Sequence, residues 1–197
     1  MSEQSGTAQQ DVGTRRQQTG TVVAVSRDDT HRFSKPVVSS IRLIAGHGIE
    51  GDSHAGATTQ HRYLIRTDPA RANLTQVHLV GSELLAELAA EGFDVSPGQL
   101  GENITTAGID LLGLPLGTRL HLGSDAVVEV TGMRDPCSMI DKFRSGLKKT
   151  LKHTDDAGRI VRRAGIMGIV VADGTVASGA ELRVELPAGE PLPLGVV

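Results

Sequence analysis

One cysteine, one Asp-x-His pair and one Pro-Gly turn hold the side chains best suited to chemistry. Cys137 is the only cysteine of the chain and sits in Arg134-Asp135-Pro136-Cys137-Ser138. A lone thiol has no intramolecular disulfide partner, so a special role would be nucleophile, sulfur carrier or metal ligand. Proline fits the first turn of a helix, and residues 138–153 read as a helix. A thiol at a helix N-terminus meets the positive end of the macrodipole, which favours thiolate. Arg134, three residues upstream, adds positive charge if it faces the same way. The competing reading is a small buried hydrophobe, the ordinary state of a free cysteine.

The stretch Gly48-Ile49-Glu50-Gly51-Asp52-Ser53-His54-Ala55-Gly56 is dense in glycine. Glycines allow positive φ and close approach of backbone to a ligand. In an extended segment Asp52 and His54 would point to one side. A plain surface turn fits the same residues. Zinc would recruit His54, His61 and Asp52, but no cysteine pair or tight histidine spacing supports it. A second entry from loop to strand is Ser96-Pro97-Gly98-Gln99-Leu100-Gly101-Glu102-Asn103-Ile104-Thr105. Backbone N–H groups around its glycines suit an anion-binding nest, and Glu102 and Asn103 can pair with a heterocycle edge. Alone, Pro-Gly followed by Gly is chiefly a turn signal.

The elements that must position these residues are mostly strands. Order is expected to begin at Gly20-Thr21-Val22-Val23, after a polar tail over 1–19 rich in Gln, Thr, Ser and Gly. Short β-like runs follow at 37–44, 74–80, 119–122, 126–131, 168–171 and 181–186, several alternating apolar and polar residues. Two segments have helical period. One spans 81–92, with Leu84, Leu85 and Leu88 on one face and Gly92 as a stop. The other follows Cys137, with Ile140, Phe143, Leu147 and Leu151 as its stripe and Gly146 weakening or splitting it. Its remaining face is basic, through Lys142, Arg144, Lys148, Lys149 and Lys152. That face is either solvated or a docking face for a phosphate or an acidic partner. Many short strands with two helices predict a mainly antiparallel β-barrel or curved sheet with the helices outside. The Pro-rich segment 187–197 cannot continue a ladder and reads as a loose tail.

Composition narrows the setting. The chain has 197 residues, three Phe, one Tyr and no Trp, so its core must be aliphatic. A net charge of −3 and scarce aromatics argue against a nucleic-acid or anionic-membrane partner. No apolar run approaches the roughly 18 residues needed to span a bilayer. The N-terminus lacks the basic start and apolar stretch of a secretory signal. With a single cysteine, a cytoplasmic setting is expected.

Together, the 48–56 segment, Gln76-Val77-His78-Leu79-Val80, the 97–104 segment and Pro136-Cys137 resemble, in order and spacing, a MOSC domain. This is the domain named after the C-terminal part of molybdenum cofactor sulfurases. Gly117, the 132–137 segment, Gly165-Ile166-Met167-Gly168 and Gly179-Ala180 are also similar to that family, so the resemblance covers about residues 20–186. The expected organisation is therefore a tail over 1–19, a stand-alone MOSC domain over 20–186 and a tail over 187–197, with no aminotransferase-like desulfurase domain attached.

The resemblance implies a β-barrel-like fold with a few peripheral helices and a bound molybdenum cofactor (molybdopterin). It implies that Cys137 ligates molybdenum, as in relatives that reduce N-hydroxylated compounds, or carries sulfur, as in sulfurase-type members. Asp52 and His54 are then expected near the metal or substrate, with Gly101, Glu102 and Asn103 contacting the cofactor. Arg134 and the basic helix are expected to neutralise the pterin phosphate. The expected partners are a small-molecule substrate and a separate electron-transfer protein. A sulfur-carrying Cys137 would instead meet a cysteine desulfurase. A third possibility is a cofactor-binding or delivery module without turnover.

Overall fold

The computed structural model describes residues 18–60 and 62–197. The expected polar tail therefore lies almost wholly outside the described residues, as does His61. In chain order the elements are β1 (Thr19–Ser26), β2 (Val37–Val38), β3 (Ser40–Ile44), β4 (Gly48–Ile49), α1 (Arg62–Thr67), β5 (Val77–Gly81) and α2 (Ser82–Ala90). Then come β6 (Ile104–Ala107), a 3-10 turn (Leu111–Gly113), β7 (Arg119–Leu122), β8 (Ala126–Met133), α3 (Ser138–Phe143) and α4 (Leu147–Leu151). Last are β9 (Lys152–Thr154), β10 (Ile160–Arg162), β11 (Ile166–Ala172), β12 (Gly174–Ala177) and β13 (Glu181–Glu185).

Seven strands close into a barrel in the order β13-β7-β8-β11-β5-β6-β1, and β1 returns to pair with β13 through Thr19↔Arg183, Gly20↔Leu182 and Thr21↔Glu181. Closure removes the free edges that an open sheet would expose. Strand β8 shows the alternation that a one-sided core demands: Ala126, Val128 and Val130 are buried, and the residues between them are not. They meet Val22, Leu79, Ile104, Leu120, Leu182 and other aliphatic residues in a core without aromatic rings. The pairings are antiparallel with one exception. β5 and β6 run parallel, Leu79 opposite Ile104, because helix α2 supplies the crossover between them.

A second core lies outside the barrel. Leu85 and Leu88 of α2 pack with Ile140 of α3, Leu147 and Leu151 of α4, and Leu100. The stripe expected after Cys137 is thus buried, but not on one helix. Arg144 turns extended at the end of α3, and Gly146, with φ +88° in the left-handed region, starts α4. Residues 152–154 then leave the helix as β9, so the helix expected over 138–153 is two short ones and a strand. Truncating Leu147 to alanine would cost about 2–5 kcal/mol, the usual range for a fully buried leucine.

The segment after β13 is not loose. Leu116 N donates to Leu192 O, Met133 N to Gly195 O and Val197 N to Met133 O, so the last residues lie beside the end of β8. Among the described residues no helix is long and apolar enough to cross a membrane.

Candidate functional site

Four loops meet at one place. They are the loop after β1, the turn after β4, the loop before β6 and the loop after β8. Backbone bonds tie them: Ser53 N donates to Asp28 O, Lys35 N to Gly98 O, and Ser26 N to Asn103 O. Ser34 Oγ donates to Gln99 O at 3.0 Å, and the Arg134 guanidinium donates to Leu100 O.

Asp52 is the hub. It is buried, and its carboxylate takes Lys35 Nζ at 2.8 and 3.0 Å, Asn103 Nδ2 at 3.0 Å and the His54 backbone N–H at 2.9 Å. Burial would raise its pKa, but the hydrogen bonds from His54 and the charge of Lys35 outweigh burial and hold it far below the carboxylate range. Burial pulls the Lys35 ammonium down, against the pull of Asp52 upward. With Nζ in reach of both carboxylate oxygens, the pair is ionic. The His54 ring has Nδ1 3.3 Å from Asp52 Oδ1, keeps 39% of its side chain exposed and meets the His31 ring edge-on at 5.3 Å. A buried carboxylate thus orients an accessible imidazole.

Glu102 corrects the nest expected over 97–104. The N–H groups of Gly98 and Leu100 do converge on an anion, but that anion is the carboxylate of Glu102, at 2.6 and 3.1 Å. Thr105 Oγ1 adds a third bond at 3.1 Å, and Glu102 is fully buried. Burial raises its pKa, opposed by those donors and by Arg134. Asn103 also faces inward: Nδ2 donates to Ser26 O and Asp52, and Oδ1 accepts from His78 N. Neither side chain has an edge left for a heterocycle. Gly101 contributes shape, with φ +84° and room for no Cβ, which would stand 2.5 Å from Phe33 O.

Arg134 joins this hub to Cys137. Its guanidinium lies 5.7 Å from the centroid of the Phe33 ring and interacts electrostatically with Cys137 and Glu102. Burial lowers its pKa, while Cys137 and Glu102 raise it, and guanidinium stays cationic throughout. Cys137 is exposed, in extended backbone just before α3. That helix has only six residues, so the positive field at the thiol comes chiefly from Arg134 rather than from a long macrodipole. His78 closes the back of the site. It is buried, Nε2 donates to Ala164 O at 2.7 Å, and burial together with Arg134 keeps its pKa well below the usual value, so it is neutral at pH 7.

Lys35 and Phe33 escape sequence reasoning. A lysine in a polar loop before proline reads as solvated, and nothing local marks it for an ion pair. Two sizeable concavities, of about 460 and 330 Å³, lie elsewhere: one against α2 and Arg163, the other between Leu114 and Pro187. Neither includes Cys137, which stands on open surface. Among the described residues no group of three or more His, Cys, Asp or Glu is placed to hold a metal ion; the zinc set includes His61, which lies outside them.

A closed strand barrel with flanking short helices and a lone exposed thiol after β8 defines a class of protein. The chain belongs to the MOSC domain family, whose profile matches residues 66–183, and that family is associated with molybdenum-cofactor binding. Among solved structures it is similar to the YuaD protein of Bacillus subtilis, with 26% identity, a TM-score of 0.69, and coverage of 86% of this chain and 97% of that one. It is also similar in fold to YiiM of Escherichia coli, with 19% identity, a TM-score of 0.59, and coverage of 88% and 73%. YiiM of Geobacillus stearothermophilus has 19% identity, a TM-score of 0.56, and coverage of 88% and 77%. No curated protein matches the chain. The 48–56 turn lies outside the residues matched by the family.

Proposed function

We propose that this protein is a cytoplasmic molybdenum-cofactor-dependent oxidoreductase acting on N-hydroxylated or related small molecules, with Cys137 as the molybdenum ligand. The observation that carries the reading is an exposed lone thiol three residues from Arg134, which interacts with it electrostatically, inside the region matched to the MOSC family. The donor set fits. A bare ion would need three or more protein ligands, whereas a cofactor that brings its own dithiolene sulfurs needs one soft donor from the chain, which Cys137 offers. Bound there, the cofactor would supply two-electron redox chemistry at an oxygen-bearing substrate.

The chain's own residues do the rest. Cys137 holds; Arg134 offers a guanidinium suited to an anionic group such as the pterin phosphate. His54, oriented by Asp52, is the accessible base and acid for moving a proton. Asp52, Gly101, Glu102 and Asn103 act by fixing the loops that carry these groups. Reduction of an N-hydroxyl group breaks the N–O bond, consumes two electrons and two protons, and releases water and the amine. The electrons come from a separate carrier protein.

A second reading rests on the same exposed thiol: a sulfur carrier whose Cys137 persulfide is loaded by a cysteine desulfurase. Protein purified from a host that makes the cofactor separates the two. Metal and pterin analysis is expected to find both in the natural chain and to find molybdenum lost in Cys137→Ala. A desulfurase-dependent mass gain on Cys137, in protein without molybdenum, would replace the first reading by the second.

A further inference from the structure

We infer that the face formed by α3 and α4 is the docking surface for an acidic electron-carrier protein. The inference rests on the oxidoreductase reading for the carrier's purpose, and on charge and exposure for its place. Residues 134–163 hold nine of the chain's 20 basic side chains and only four of its 23 acidic ones. A chain of net negative charge therefore gathers its positive charge in the segment that begins at the site.

Part of that charge is neutralised within the fold. Lys152 and Arg162 share Asp135 at 2.7 and 2.8 Å, and Arg163 pairs with Glu87 and Glu91. What remains is on the two helices. Lys142, Lys148 and Lys149 have no ion pair among the described residues, although ion pairs are formed all around them. Met139, on the turn just after Cys137, is 42% exposed, with Phe143 half-buried beside the second core. An exposed, flexible apolar residue on α3, with unpaired lysines on the same helix and the next, is the composition of a transient protein interface. It steers an acidic partner by long-range attraction.

Nucleic acid fits less well, because the chain has three Phe, one Tyr and no Trp to stack on bases and a net charge of −3. The carrier delivers one electron per encounter, and two encounters supply the two electrons that N–O cleavage consumes. Docked on α3, it lies against the helix that Cys137 begins.

The test uses the full chain without cofactor, labelled with ¹⁵N, and a strongly acidic oxidised [2Fe–2S] ferredoxin as probe. Saturable shifts or broadening are expected at amides of 138–149, with affinity falling about tenfold or more when salt is raised from about 50 to about 300 mM. Lys142→Glu/Lys148→Glu/Lys149→Glu should lose the binding with an unchanged circular dichroism spectrum. Arg66→Glu/Arg71→Glu, charge reversals of exposed residues outside this face, should keep it. Absence of binding, shifts centred elsewhere, or equal loss in both variants would overturn the inference. So would a double-stranded oligonucleotide that binds the same amides more tightly than the ferredoxin. Because no molybdenum is needed, the outcomes separate: binding by a chain that never retains cofactor would fail the oxidoreductase reading alone, and cofactor retention without binding would fail the docking surface alone.

Discussion

Lys35 Nζ lies 2.8 and 3.0 Å from the two carboxylate oxygens of Asp52, and both side chains are almost completely buried. The pair joins the loop after β1 to the turn after β4, and Asn103 extends it to the loop before β6. Replacing Lys35 by methionine leaves a buried carboxylate without its counter-ion. A loss of about 3–5 kcal/mol is expected in urea unfolding, because breaking a buried pair costs more than the pair contributes. Lys35→Met/Asp52→Asn, which removes the stranded charge, should recover part of it.

The same pair sets the acid response. Asp52 has its folded pKa below the ordinary carboxylate value, so its contribution to stability is complete above about pH 4 and is lost as pH falls through the folded value. Asp28, lowered to about 2 by hydrogen bonds from Thr30 and Arg32, acts in the same window. Stability measured against pH should therefore fall below about pH 4, and Asp52→Asn should flatten that fall while lowering stability at neutral pH.

Gly101→Ala tests the loop geometry. A Cβ there would stand 2.5 Å from Phe33 O, on a backbone with φ +84°. Strain of this kind costs about 1–3 kcal/mol before the clash is added. A lower Tm is expected, with shifts at Phe33 and Arg134, the groups on which the neighbouring site depends. An unchanged Tm would mean that the loops are not held as described.

Cys137 should react with iodoacetamide in the folded protein, at one label per chain, and the Ser variant should take none. Arg134 interacts electrostatically with Cys137, so Arg134→Gln should slow alkylation several-fold by removing the cation that acts on the sulfur. Labelling only after denaturation would make Cys137 a packing residue and remove it from the site.

Much of the barrel is legible in the sequence because alternation in β8 and β11 reports one-sided burial directly, and the apolar run of β5 fits burial on both faces, between the barrel core and the helices. The buried stripe of Ile140, Leu147 and Leu151 is legible for the same reason, while the break at Gly146 changes its element without changing its face. The role of Glu102 is not legible. Glycine-rich N–H groups announce an anion, and only the folded chain shows that the anion is its own side chain. Lys35 is silent because burial of a loop lysine depends on a carboxylate 17 positions away. The docked 187–197 segment is silent too, since its partners at Leu116 and Met133 are long-range.

The central claim is that the Cys137 sulfur ligates molybdenum, and molybdenum-edge X-ray absorption of cofactor-loaded protein tests it most directly. The account predicts that the natural chain shows one more sulfur neighbour than the cofactor's own dithiolene supplies, and that Cys137→Ser loses that neighbour. An identical sulfur count in the two proteins at equal molybdenum content would contradict it.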